Sequence, residues 1–180
     1  FYIYDNERTM GQYSAGPLLI EERAAYISAM DAYSSVANLT FTESQTASES
    51  HILWASFDSY DYGRSNILGR ASPPSITGFN IGSGGWPTGL TTQNREYYSN
   101  NGEINNSRIL LPGSFYYITT IHELGHSLGL AHPHNFTLFP GVSRSSDTGD
   151  NGLNAQPYTV MTYNDVGANE YLPRSYAYSG

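Results

Sequence analysis

The 180-residue chain sets 16 acidic residues against eight basic ones, all arginines, for a net charge of −8; that balance argues against nucleic acid or an anionic membrane as a partner. It contains no cysteine, which excludes disulfides, thiolate metal ligands and a cysteine nucleophile. No apolar run approaches the ~20 residues of a membrane-spanning helix, and 16 tyrosines with 18 glycines suit one loop-rich globular domain.

The chain begins at Phe1 without a visible signal sequence, and reads as a processed or excised form. The first element follows Pro17, where Ile20, Ala24, Ile27 and Met30 recur at helical spacing with Glu21, Glu22 and Arg23 off that face. Glu21 and Glu22 fall in the first turn, where the helix dipole favours them, and Asn38 is the expected stop. Residues 39–42 then read as β-like, and residues 51–57 (HILWASF) as a strand. From 63 to 106 helical periodicity is missing. Short β-like pieces such as 67–71 are separated by Pro73, Pro74, Gly82 to Gly85 and Pro87. Residues 103–111 read as a further strand, closed by Pro112 and Gly113. Ser114 is the expected N-cap of a second helix over 115–130, with Ile118, Ile121, Leu124 and Leu128 towards a core. Beyond Pro133 the chain is irregular.

That second helix carries HELGHSLGLAHPH, which holds four of the five histidines. His122 and His126 are one turn apart and about 40° apart around the axis, so both imidazoles can point at one ion. Glu123 is rotated about 100° from His122 and can stand beside such an ion without binding it. This is the HExxH arrangement, in which neutral imidazoles hold zinc and the glutamate handles the protons of a bound water. A catalytic zinc wants three protein ligands. Gly129, just past the helix, can take the left-handed conformation that reverses the chain and returns His132 to the metal. His134 follows Pro133 and falls outside the pattern, as a rim or solvent-facing histidine. His51 reads as a structural histidine in its strand. The acidic pairs Asp58/Asp61 and Asp147/Asp150 could help bind calcium, but they match neither an EF-hand loop nor a nonapeptide repeat and read as solvated loops.

HELGHSLGLAH resembles the extended zinc signature of the metzincin metallopeptidases. A methionine turn downstream also marks that group, and TVMTY supplies Met161, 29 residues after His132. Pro133 and the stretch SSVANLTFTE are similar to the serralysin catalytic domain in particular. The resemblance covers roughly residues 17–163. It implies an α+β metzincin-type domain: a twisted mixed sheet with two long helices, and a cleft above an irregular C-terminal subdomain. The 180 residues would then form a single catalytic domain, with an upper part over about 1–130 and a lower part over about 131–180.

The resemblance implies a zinc endopeptidase with His122, His126 and His132 as ligands, joined at rest by Tyr163, as in the serralysin and astacin branches. Glu123 would be the general base for a zinc-bound water, and Tyr163 would swing to hydrogen-bond the oxyanion. Met161 would support the metal from beneath and Gly129 would make the turn. An extended protein or peptide substrate would pair with an edge strand, which chain order places at Ile67, Leu68, Gly69, Arg70 and Ala71. Secretion from a bacterium, monomeric action and control by a proteinaceous inhibitor follow the same resemblance. Glycine/aspartate repeats, the calcium-binding roll typical of serralysins, do not follow the zinc segment here. Two other readings remain: a non-catalytic zinc-containing binding or adhesion domain on the same fold, and a zinc hydrolase acting on a non-peptide substrate. The first has no chemical need for Glu123.

Overall fold

A computed structural model describes residues 1–6, 8–10, 13–57, 67–74, 89–100, 103–104, 106, 108–135 and 139–164. The chain divides into two compact units, Phe1–Leu128 and Gly129–Gly180. In the first, strands β1 (Tyr2–Ile3), β2 (Arg8–Met10) and β3 (Tyr13–Ala15) precede helix α1 (Ile20–Val36). Strands β4 (Leu53–Phe57), β5 (Gly69–Ala71), β6 (Leu90–Asn94), β7 (Ser99–Asn100) and β8 (Glu103–Ile104) follow, and helix α2 (Phe115–Ser127) closes the unit. Strands pair in the order β1-β4-β6-β5, while β2 with β3 and β7 with β8 form separate ribbons. β4 runs parallel to β1 and to β6, with Leu53 opposite Leu90 and Phe57 opposite Asn94. β5 is antiparallel to β6, with Gly69 opposite Gln93 and Ala71 opposite Thr91. The domain is thus α+β, with a mixed four-stranded sheet and two helices, as the metzincin resemblance implies.

Every residue of β4 and of β6 is buried, so the sheet is covered on both faces. Leu53, Ala55 and Phe57 alternate to one face, with Tyr4 and Leu90. Trp54 points to the other, where it packs with Ile3, Tyr26, Ala29, Met30, Ile52 and Leu124. The Tyr26 ring stacks on Trp54 at 4.1 Å, and its hydroxyl lies 2.6 Å from Ser56 Oγ.

The buried side of α1 is not the one its apolar spacing suggests. Ile20 is 80% exposed and Ala24 is also exposed, whereas Glu22, Ala25, Tyr26, Ala29 and Met30 are buried. Tertiary partners decide the phase. Trp54 takes the Tyr26 ring, and Arg95 takes Glu22 through Nε at 2.8 Å and through NH2 at 2.5 Å. Glu22, 0% exposed, also accepts from the Tyr98 hydroxyl at 2.7 Å and from the Leu19 amide at 2.8 Å. A fully buried carboxylate is tolerated because its lone pairs are met and a guanidinium opposes it.

Two expected β segments are not strands. Residues 39–42 follow a bend at 37–38 and belong to no strand. Residues 108–111 form a turn in place of the expected continuation of β8. There Asn106 Oδ1 accepts from the Arg108 amide, and the Ser114 hydroxyl donates to the Ile109 carbonyl. Short polar side chains thus draw the backbone groups out of a ladder.

In the second unit, the described residues are held by a polar core. Asn154 Nδ2 donates to the Asp147 carbonyl at 2.6 Å, and Asn164 Nδ2 donates to the Asp147 and Asn154 carbonyls at 3.1 and 3.0 Å. Thr162 Oγ1 donates to the Asn154 carbonyl at 3.1 Å. These bonds fix the segment that bears Met161 and Tyr163. Among the described residues no helix is long and apolar enough to cross a membrane.

Candidate metal centre

Helix α2 starts where the Ser114 side chain accepts from the Tyr117 amide at 3.2 Å, the N-cap bond expected of a serine there. The helix is pinned to its surroundings by polar as well as apolar contacts. Gln93 Nε2 donates to the Tyr116 carbonyl and to Thr120 Oγ1, Thr91 Oγ1 pairs with Ser127 Oγ, and the Tyr33 hydroxyl donates to the Ile121 carbonyl. His122 and His126, carried on such a helix, have little freedom of position.

The His122 and His126 rings lie 4.8 Å apart at 86° to each other. α2 ends at Ser127, and Leu128 caps it through amide bonds to the Leu124 and Gly125 carbonyls. Gly129 follows with φ of 94°, the left-handed region that a helix-ending glycine supplies. His132 comes next in this reversed chain. His122, His126 and His132 each offer a ring nitrogen, and these atoms all lie within 4.8 Å of one another. Tetrahedral zinc with bonds of ~2.0–2.1 Å needs its ligands about 3.4 Å apart, a spacing inside that limit. Three imidazoles with no thiolate or bound carboxylate form a donor set that leaves a fourth position open. Among the described residues this is the one group of three or more histidine or acidic side chains so placed.

The Asn135 side-chain amide faces His132 Nδ1 at 3.2 Å. With its oxygen turned to that nitrogen, it would accept Nδ1–H and keep the lone pair at Nε2 for an ion. Glu123 is 6% exposed, and burial pushes its carboxyl up from 4.5 to about 8. A dication nearby favours the charged form and opposes that shift.

Met161 is buried, and its amide donates to Thr159 Oγ1 at 3.2 Å. Tyr163 is 60% exposed, with its ring 4.6 Å from that of His132 and 5.2 Å from that of His134. His134 is half-buried rather than solvent-facing: its ring stacks on that of His132 at 5.0 Å and 7°, and among the described residues its buried Nδ1 has no hydrogen-bond partner. His51 lies exposed ahead of β4, not inside a strand as expected. Of the expected substrate strand, Gly69, Arg70 and Ala71 form β5, while Ile67 and Leu68 precede it, their carbonyls accepting from the Asn94 side chain and amide. Asp147 accepts from the Ser143 hydroxyl and amide and from the Arg144 side chain and amide; led by the Ser143 hydroxyl, these bonds hold its carboxyl well below its usual range. Asp58 and Asp61 lie outside the described residues.

Over 143 residues, 79% of this chain, the sequence is 31% identical to Metallopeptidase AprA of Pseudomonas marginalis, of which it covers 27%. It is 27% identical over 147 residues to Serralysin of a Photorhabdus species (strain Az29), again over 79% of this chain and 26% of the relative. Over that stretch the chain is similar to serralysin-type metallopeptidases. It spans about a quarter of the length of these relatives, and no protein-family model matches it.

Sequence reasoning missed Asn135, Asn154 and Asn164. Asn135 is three residues past His132 on a turned segment, a place where a partner for the imidazole could have been sought. The other two carry no local signal, since their roles depend on carbonyls up to 17 residues away.

Proposed function

We propose that this chain is the catalytic domain of a zinc-dependent endopeptidase. The observation that carries the reading is the convergence of three imidazole nitrogens within 4.8 Å, with a buried glutamate next in sequence to the first of them. Two metallopeptidase relatives support it.

His122, His126 and His132 would hold the zinc, which when bound supplies Lewis acidity that acidifies a water and polarises the scissile carbonyl. Glu123 would take the proton of the attacking water on a carboxylate oxygen, then deliver it to the leaving amine nitrogen. Its burial strengthens that hydrogen bond and keeps the proton from bulk solvent. Tyr163, exposed at the His132 ring, would first share the metal site and then donate its hydroxyl proton to the oxyanion through a hydrogen bond. Met161 would support the histidines from the turn that Asn154 and Asn164 hold. An extended peptide would add to the sheet along Ile67 to Ala71. One catalytic domain, with an upper part over about 1–130 and a lower part over about 131–180, export from a bacterial cell, and action as a monomer open to a proteinaceous inhibitor belong to the same proposal.

The test is cleavage of an unfolded protein by the purified chain, before and after a chelator and after zinc is restored. Loss with the chelator and recovery at about one zinc per chain is the expected result. Cleavage untouched by full metal removal would reject the reading.

A further inference from the structure

Gly69 lies in β5, opposite Gln93 of the neighbouring strand. Its backbone is not among the positive-φ glycines, so any residue could adopt its conformation. Gly89, Gly141 and Gly149 also sit in crowded places, but each has positive φ, which by itself accounts for a glycine. Gly69 needs another reason, and space provides it. A Cβ there would stand 2.6 Å from Cγ, 2.8 Å from Oε1 and 2.9 Å from Cδ of Glu123. Those are its three nearest heavy atoms, so a methyl group would meet the carboxylate arm before anything else.

We infer that Gly69 is a positioning residue for Glu123: the absent side chain of β5 is the space that the general base occupies. The inference rests on the peptidase reading above for its catalytic consequence, but the steric relation stands without it. Carbon atoms settle at about 3.5–4.0 Å, so an alanine at Gly69 requires roughly 1 Å of relief. The β5 backbone is tied to β6 by its ladder and cannot retreat cheaply, and the Glu123 side chain is almost wholly enclosed. The carboxylate therefore gives way. A displacement of about 1 Å in a reacting group costs on the order of 100-fold in rate.

The experiment combines Gly69→Ala and Glu123→Ala singly and together. Zinc content, kcat and KM on a peptide, and the Tm of the metal-free proteins are measured for each. Gly69→Ala is expected to keep one zinc, hold KM within about twofold and lower kcat by about 100-fold. In the metal-free protein it lowers Tm by about 2–4 °C through overpacking. Added to Glu123→Ala, which removes the group it strikes, it changes neither the residual rate nor Tm. A wild-type kcat in Gly69→Ala overturns the inference, as does an equal Tm loss in the Glu123→Ala background. Should the wild type cleave nothing, the peptidase reading fails by itself, and the metal-free Tm cycle still decides whether Gly69 makes room for Glu123.

Discussion

Gly129→Ala isolates the contribution of the turn that delivers His132. The φ of 94° at Gly129 lies beyond the left-handed well near +50 to +70° that L-residues reach with difficulty. A Cβ built there meets nothing within 4 Å, so the substitution adds backbone strain without a clash. That strain is about 1–2 kcal/mol. Where the metal-free chain can relax by letting residues 129–132 shift, the strain is imposed again on metal binding, and zinc affinity falls by about 5- to 30-fold. Gly113 supplies the control. Its φ is 92° and it is equally uncrowded, but it sits ahead of α2, about 14 Å along the helix from His122. Gly113→Ala should therefore lower Tm by a similar amount, about 2–8 °C, and leave zinc affinity alone. Competition against a chromophoric chelator gives the affinities, and calorimetry gives Tm. Equal zinc affinity in the wild type and in Gly129→Ala, or an equal loss in both variants, would refute the idea that the turn positions His132.

Three further outcomes are expected. Arg95→Leu leaves the Glu22 carboxylate buried and unopposed, at a cost of about 3–5 kcal/mol, and should drop Tm by about 10 °C or more in a thermal melt; a neutral result would remove the pair from the account of α1. In the metal-free protein, Glu123 favours the protonated form because its folded value is near 8 against an ordinary 4.5. Its contribution to stability is therefore full below about 4.5 and lost as pH rises through about 8, so Glu123→Gln should overtake the wild type in Tm at the upper end of that window, and a widening wild-type advantage would contradict the burial argument. Finally, His132→Ala should lose the metal by elemental analysis while His134→Ala retains it; the reverse result would reassign the third ligand.

What the sequence disclosed is unevenly spread. The spacing of His122, His126 and His132 was legible because a helix and a glycine-ended turn obey local geometry, and the Ser114 cap was legible for the same reason. The phase of α1 was not. A carboxylate reads as solvent-facing until a buried guanidinium is placed against it, and Arg95 is 73 residues from Glu22. Residues 109–111 look like a strand from their side chains alone, yet the Asn106 and Ser114 side chains bind that backbone into a turn. Gly69 was visible only as one of five residues in a short β-like run. Its close approach to Glu123 depends on how β5 lies against α2, a relation that neither segment encodes by itself.

The central claim is that one buried carboxylate moves the protons beside a histidine-held zinc. It is tested most directly by measuring zinc content and hydrolysis of an unfolded protein for the wild type and Glu123→Ala side by side. The account predicts about one zinc per chain in both and cleavage by the wild type alone. Undiminished cleavage by Glu123→Ala, or a zinc-loaded wild type that cleaves nothing, would contradict it.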